Sequence, residues 1–301
     1  MIKQLEEKLG EGRVQENVDL RLANTLRMST RARYFLIAKT RVDLIAAKRA
    51  SIELNLPLFI IGGGSNLVLL KEELEGLVVR NLYMISNKVR EDKQSVELLV
   101  SSGYPVTKLV NETVEAGYSG FEYHLGLPGT VGGAIYMNSK WTNPVCYFGD
   151  ELLYANLVDG NGREKKVERS YFQFAYDTSI LQQTGEILLE AAFKLAKGDR
   201  DVLKEKAQAA QEYRKKTQPF GVASSGCIFR NVDGNSAGEM IDKAGLKGMK
   251  VGQFLVSPTH ANFIINQGQG RPEDMQQLIK MIKDKVKEKF GVELKEEIIV
   301  I

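Results

Sequence analysis

The sequence has little cysteine and little histidine: Cys146, Cys227, His124 and His260 are the only ones in 301 residues. Neither histidine lies at metal-ligand spacing from a cysteine, so a zinc site is not expected. Nothing beside the two cysteines suggests an oxidising compartment, and they read as reduced thiols of a cytoplasmic protein. No apolar run approaches the roughly 18 residues a membrane span needs. The opening MIKQLEEKLGEG is charged where a secretion signal would be apolar. Charge of one sign is also missing. With 41 basic and 38 acidic residues the net charge is +3, too balanced to imply a nucleic-acid partner. The basic cluster at 200–216 is interleaved with acids and reads as a solvated helix face. Internal repeats and low-complexity tracts are absent.

What is present is ordinary globular material, 43% hydrophobic and 26% charged. At this length two or more domains are expected. Ile2, Leu5 and Leu9 share one face of a short helix that Gly10 and Gly12 end. Strands are expected around Tyr34–Ile37, 57–61, 77–79, 96–100 and 186–195, and a hairpin turn at 159–162. Helices are expected at 44–54, 105–116, 199–216 and 236–244. A last helix carries Met275, Leu278, Ile279, Ile282, Val286 and Phe290 on its inner stripe, with Gly291 as its cap. The closing VELKEEIIVI reads as a strand containing Glu297. The helix at 199–216 marks a boundary, giving domains 1–198 (two lobes, divided near 60–80) and 199–301.

Two glycine-rich stretches stand out. Strand 57–61 runs into Gly62, Gly63, Gly64, Ser65, Asn66 and Leu67, and about 60 residues later comes GLPGTVGGAIYMN, from Gly126 through Pro128, Gly129, Thr130, Gly132 and Gly133 to Asn138. Glycines let backbone N–H groups converge on an anion without Cβ obstruction. A tight turn between strands would explain either loop alone; the pair together favours a cofactor. The dinucleotide-binding fingerprint does not match, because Leu67 stands at its third glycine and strand, turn and strand follow instead of a helix. The second stretch is too rich in glycine to form the interior of a regular element.

The third informative segment is TQPFGVASSGCIFRN, from Thr217 to Asn231. It presents the thiol of Cys227 directly after Gly226. A free thiol, with a reference pKa of roughly 8.5, is protonated near neutrality yet gives up its proton far more readily than a serine hydroxyl. Cys227 can therefore act as a proton donor, or it can simply be a small buried hydrophobe.

GGGSN, GLPGTVGGA, the Gln218–Asn231 segment and the closing GVELKEEI, in this order, closely resemble the UDP-N-acetylenolpyruvoylglucosamine reductase family over nearly the whole length. The resemblance implies an α+β fold: a two-lobed FAD-binding domain of the vanillyl-alcohol-oxidase-like type, followed by an α+β substrate-binding domain. It implies FAD as bound cofactor, NADPH as hydride donor, and a nucleotide-sugar substrate reduced in peptidoglycan precursor synthesis by a monomeric cytoplasmic enzyme. The two glycine loops, Gly62–Leu67 and Gly126–Gly133, would hold the FAD. Cys227 would protonate C2 and Glu297 would polarise the enolate region, while Tyr176, Arg214, Gln218 and Asn231 would bind substrate.

The chain also departs from the family pattern. Asp177 occupies the position of an arginine that faces the developing enolate. A carboxylate about 4 Å from that charge would cost on the order of 4 kcal/mol at an effective dielectric near 20, about three orders of magnitude in rate. An impaired enzyme is the corresponding expectation, and a degenerate homologue that binds FAD or a nucleotide sugar without turnover is the alternative. Met28, Ser29 and Thr30 replace an isoleucine-glycine-glycine stretch, Val232 replaces a proline, and NSKWTNPVCYFG (138–149) replaces a short alanine- and glycine-rich stretch. A third reading, a flavin oxidase acting on alcohols or hydroxy acids, is opposed by the segment around Cys227.

Overall fold

Hydrophobic period and glycine punctuation set most element boundaries in the computed structural model, which describes residues 1–232 and 234–301. The first helix, Ile2–Leu9, buries Leu5 and Leu9 and ends at Gly10, whose φ of 102° only glycine adopts readily. Thr40 and Asp43 form a capping box that starts the helix Arg41–Glu53. The last helix, Pro272–Phe290, buries Met275, Leu278, Ile279, Ile282 and Val286 and stops at the left-handed Gly291. Phe290 is exposed, so the expected stripe ends one turn early.

The chain divides into two compact units. The first comprises Met1–Glu16, Tyr34–Gly63 and Glu75–Arg214; the second comprises Asn17–Arg33, Gly64–Leu74 and Lys215–Ile301. A single cut at 198/199 is thus not how the contacts fall. Most of the helix Arg200–Thr217 belongs to the first unit, and two early segments belong to the second.

The first unit is built on a six-stranded, largely antiparallel sheet. Its main strand order is Glu164–Glu168, Leu152–Val158, Ile187–Lys197, Ser95–Ser101 and Ser86–Glu91, with Tyr118–Ser119 added beside Ile187–Lys197. The central strand is buried at seven consecutive positions, 187–193, instead of alternating, because both of its faces are covered. Leu188, Ala191, Phe193 and Leu195 join one hydrophobic core with the helix Val106–Glu115, whereas Ile187 and Leu189 join a second core with the helices Ile2–Leu9 and Arg41–Glu53. Glu190 of the same strand is buried and fully engaged. It accepts from Tyr83 Oη at 2.5 Å and Asn156 Nδ2 at 2.9 Å, and it pairs with Arg41. The edge strand Leu58–Ile61 of another, four-stranded sheet runs parallel to Leu77–Arg80 and leads into Gly62.

The second unit holds a four-stranded antiparallel sheet in the order Ser224–Cys227, Phe263–Asn266, Phe254–Val256 and Lys250–Val251. The helices Ala237–Lys243 and Pro272–Phe290 pack against each other. The chain's last residues pair in parallel with the strand after the glycine loop, Ile299 with Leu67 and Val300 with Val68. Only Ile299–Val300 is strand here. Glu297 lies in the extended connection before it, a correction to the sequence reading. The α+β fold class is as expected.

Candidate functional site

In the first unit the two glycine stretches meet backbone to backbone. A methyl group at Gly63 would lie 2.5 Å from Gly129 Cα, and one at Gly62 2.4 Å from Thr130 Oγ1. Both are closer than any Cβ tolerates, so these glycines are required by the contact between the loops. The second stretch is anchored further. Gly129 O accepts from Val106 N at 3.1 Å, and Gly132 N donates to Ser102 O at 2.8 Å.

The glycine-rich stretch is not loop throughout, which corrects the sequence reading. Val131–Met137 is an α-helix containing Gly132 and Gly133. Helix is possible there because tertiary contacts compensate the poor propensity of glycine. Gly132 also fits tightly, since a methyl there would sit 2.9 Å from Ser102 O. Gly133 differs. It is exposed, and beyond its own helix backbone a methyl built there would meet nothing nearer than Thr130 Oγ1 at 3.9 Å, so the packing around it does not demand glycine. Gly126 has a φ of 82° and Pro128 is exposed at the bend between. An exposed backbone surface stripped of side chains at one helical turn fits a large cofactor approaching at van der Waals distance.

The segment carrying Tyr176 and Asp177 is clamped to this helix. Asn138, the left-handed cap at its C-terminus, donates to Ala175 O at 3.1 Å; Ser179 Oγ and Gln182 Nε2 donate to Tyr136 O at 2.7 and 3.0 Å. Ala175 and Thr178 exchange backbone hydrogen bonds, making Tyr176 and Asp177 the two central residues of a tight turn. Asp177 has a φ of 53° and is buried. Aspartate tolerates left-handed geometry better than most residues, because its short side chain can bond locally; arginine at the same φ would be strained. Arg214 stands beside the start of the glycine stretch, its Cδ 3.4 Å from a methyl built on Gly126 and its guanidinium 4.6 Å from the Trp141 ring centroid. Close by, His124 is fully buried, and burial together with the charge of Arg214 lowers its pKa from 6.5 to about 3.

In the second unit, Cys227 follows a β-bulge. The pairing of Ser224–Cys227 with Phe263–Ile265 slips between Ser224 and Cys227, and Gly226 takes a φ of 80°. Bulges of this kind re-aim the next side chain. Past Cys227 the chain leaves the sheet but remains held. Ile228 N donates to Asn262 O at 2.8 Å, and the buried Asn262 side chain bonds Phe229 N and O at 2.9 and 2.7 Å. Opposite, Glu297 N donates to Ile228 O at 2.8 Å and Arg230 N to Lys295 O at 2.9 Å. Asn66 Nδ2 reaches Glu297 O at 3.3 Å, and Asn66 O accepts from Ile299 N at 2.9 Å. The Ser65 carbonyl lies 4.0 Å from a methyl built on Gly226. Ser65, Asn66, Cys227 and Glu297 are thus gathered at one place, and both Cys227 and Glu297 are half-buried.

Gly64 serves structure: a methyl there would meet Ala23 O at 2.1 Å, and its carbonyl accepts from Thr25 N at 3.0 Å. Leu67 pairs with Ile299. Asn231 Oδ1 accepts from Ala237 N at 2.9 Å, so it caps the helix Ala237–Lys243. Gln218 is half-buried just after the helix Arg200–Thr217. Sequence reasoning missed Asn138 and Asn262, although each had a local signal, an asparagine ending a helix and another entering a strand. Among the described residues no group of three His, Cys, Asp or Glu could hold a metal, and no helix is long and apolar enough to cross a membrane.

Comparisons with known proteins converge on this arrangement. Residues 32–168 match the family described as FAD binding domain, and residues 218–301 the one described as UDP-N-acetylenolpyruvoylglucosamine reductase, C-terminal domain. The chain is 35% identical to UDP-N-acetylenolpyruvoylglucosamine reductase of Protochlamydia amoebophila, over 94% of this chain and 92% of that one. It is 33% identical to the Bacillus pumilus protein of the same name, over 96% and 94%. The crystal structure of UDP-N-acetylenolpyruvylglucosamine reductase from Thermus caldophilus superposes with a TM-score of 0.81 at 30% identity, covering 96% of this chain and 98% of that one. Both glycine stretches lie wholly within the residues that the FAD match covers, and the cofactor is FAD. The chain belongs to the UDP-N-acetylenolpyruvoylglucosamine reductase family.

Proposed function

We propose that this chain is an NADPH-dependent reductase that converts UDP-N-acetylglucosamine enolpyruvate to UDP-N-acetylmuramate in the cytoplasm, for peptidoglycan precursor synthesis. The glycine helix and the loops before it would hold FAD. The chemistry FAD supplies when bound is hydride transfer, from NADPH to C3 of the enolpyruvyl ether. Addition at C3 leaves an electron pair on C2, delocalised into the adjacent carboxylate. The Cys227 thiol donates its proton to C2, forming the C–H bond of the lactyl ether, and the resulting thiolate recovers a proton from water. Such a positioned acid typically contributes about 10²- to 10⁴-fold. Glu297 polarises the same region. Tyr176, Arg214, Gln218 and Asn231 contribute to substrate binding, Asn231 through the helix start that it holds.

The observation that carries this reading is the pairing of the Cys227 and Glu297 segments through Ile228 O, at 2.8 Å from Glu297 N. A second reading, cofactor or nucleotide-sugar binding without turnover, is favoured by the buried Asp177 in place of a cation. The test separates them: purified protein should show a flavin spectrum and oxidise NADPH in proportion to added enolpyruvyl substrate. A flavin-bound protein that binds substrate yet never oxidises NADPH with it would leave only the second reading.

A further inference from the structure

The hairpin formed by Lys140–Thr142 and Val145–Tyr147 follows directly on the glycine helix Val131–Met137. Its register places Lys140 opposite Tyr147. The Lys140 ammonium lies 5.8 Å from the Tyr147 ring centroid and 5.0 Å from that of Tyr176, the residue next to Asp177. The lysine is half-buried and has no ion-pair partner among the described residues. Two tyrosine rings hold the ammonium by cation–π attraction and leave its N–H groups unused by protein carboxylates. The other lysines held over rings here differ. Lys88, Lys108, Lys165 and Lys206 also pair with carboxylates, Lys166 lies over Tyr154 on an exposed strand, and the exposed Lys289 over Phe290 donates to Lys243 O.

The Tyr176–Asp177 turn carries a buried carboxyl group at the position where the family resemblance implies an arginine. Beside that turn, 5.0 Å from the ring of Tyr176, the Lys140 ammonium is a cation already in place. We propose that Lys140 anchors an anionic group of the nucleotide-sugar substrate, its carboxylate or its diphosphate, so that the cation of this site has moved from position 177 to position 140. This rests on the substrate assigned above. Lys140 is a positioning residue, and chemistry at C2 and C3 does not pass through it.

The test uses the full-length flavoprotein with Lys140→Met and Lys140→Arg, and Lys166→Ala as a control for a cation on a ring elsewhere. Lys140→Met should weaken calorimetric binding of the enolpyruvyl substrate by about ten- to a hundredfold, the range of a charge-assisted contact. Lys140→Arg should restore most of it, and flavin reduction by NADPH should stay unchanged in all three. Titration with UDP alone identifies the group. Equal loss of UDP affinity assigns the diphosphate, whereas unchanged UDP affinity with weakened substrate assigns the carboxylate. Wild-type affinity for substrate in a folded Lys140→Met variant overturns the proposal while leaving the reductase assignment standing. If the wild-type protein itself neither binds nor turns over the enolpyruvyl substrate, that assignment fails instead and the proposal falls with it.

Discussion

Two uses of a thiol are open to Cys227, proton donation to the substrate and simple packing. A buried structural cysteine needs no bulge before it, but here Gly226 at φ 80° interrupts the ladder one position upstream and Cys227 is half-buried, while the carbonyl of the next residue, Ile228, accepts from Glu297 N at 2.8 Å. In Cys227→Ala, the substrate-dependent oxidation of flavin should slow by about 10²- to 10⁴-fold, with flavin reduction by NADPH nearly intact; equal loss in both half-reactions would mean that the thiol supports the fold and not the proton transfer. His124 offers a test of stability. Burial, then the charge of Arg214, holds its folded pKa at about 3 against an ordinary 6.5. The unfolded chain therefore binds a proton that the folded chain refuses throughout this window. Stability from this group is complete above pH 6.5 and falls as pH drops towards 3, on the order of 1.4 kcal/mol per unit. Its Nδ1 has no hydrogen-bond partner among the described residues, so leucine sacrifices no bond there. Urea unfolding at pH 7 and 4.5 should show a smaller loss for His124→Leu than for wild type; parallel losses would contradict the argument.

At the scale of elements, the glycine stretches serve two purposes that composition alone cannot separate. Gly62, Gly63 and Gly132 are fixed by contacts within the protein, Gly133 by none. The two kinds should respond oppositely to the same substitution. Gly63→Ala forces a methyl to 2.5 Å from Gly129 Cα and should lower the melting temperature and flavin content together. Gly133→Ala replaces a poor helix former on an exposed turn and should stabilise the cofactor-free protein by up to about 1 kcal/mol, while weakening FAD retention. A Gly133→Ala protein that keeps FAD as tightly as wild type would show that the cofactor does not approach there. The sequence reading located both stretches but treated the second as irregular, because glycine propensity says nothing of a helix held by Ser102, Ala175 and Ser179. It likewise read Glu297 into a strand from β-rich neighbours. The actual pairing partner is Ile228, on a segment that leaves its sheet.

For the whole molecule, periodic helices and apolar strands were legible locally, and so was the order of motifs that carried the family resemblance. The division into units was not. Segments 17–33 and 64–74 join the C-terminal unit through pairings such as Asn66 with Glu297, 231 residues apart, which no local pattern encodes. The substitution at 177 was legible as chemistry but not as geometry: only the turn shows why an aspartate suits that backbone. The account as a whole is tested most directly by one stopped-flow experiment. Protein reduced anaerobically with one equivalent of NADPH is mixed with UDP-N-acetylglucosamine enolpyruvate while flavin absorbance is followed. The account predicts that the oxidised flavin spectrum returns with formation of UDP-N-acetylmuramate; a spectrum that stays reduced with the enolpyruvyl substrate bound would contradict it.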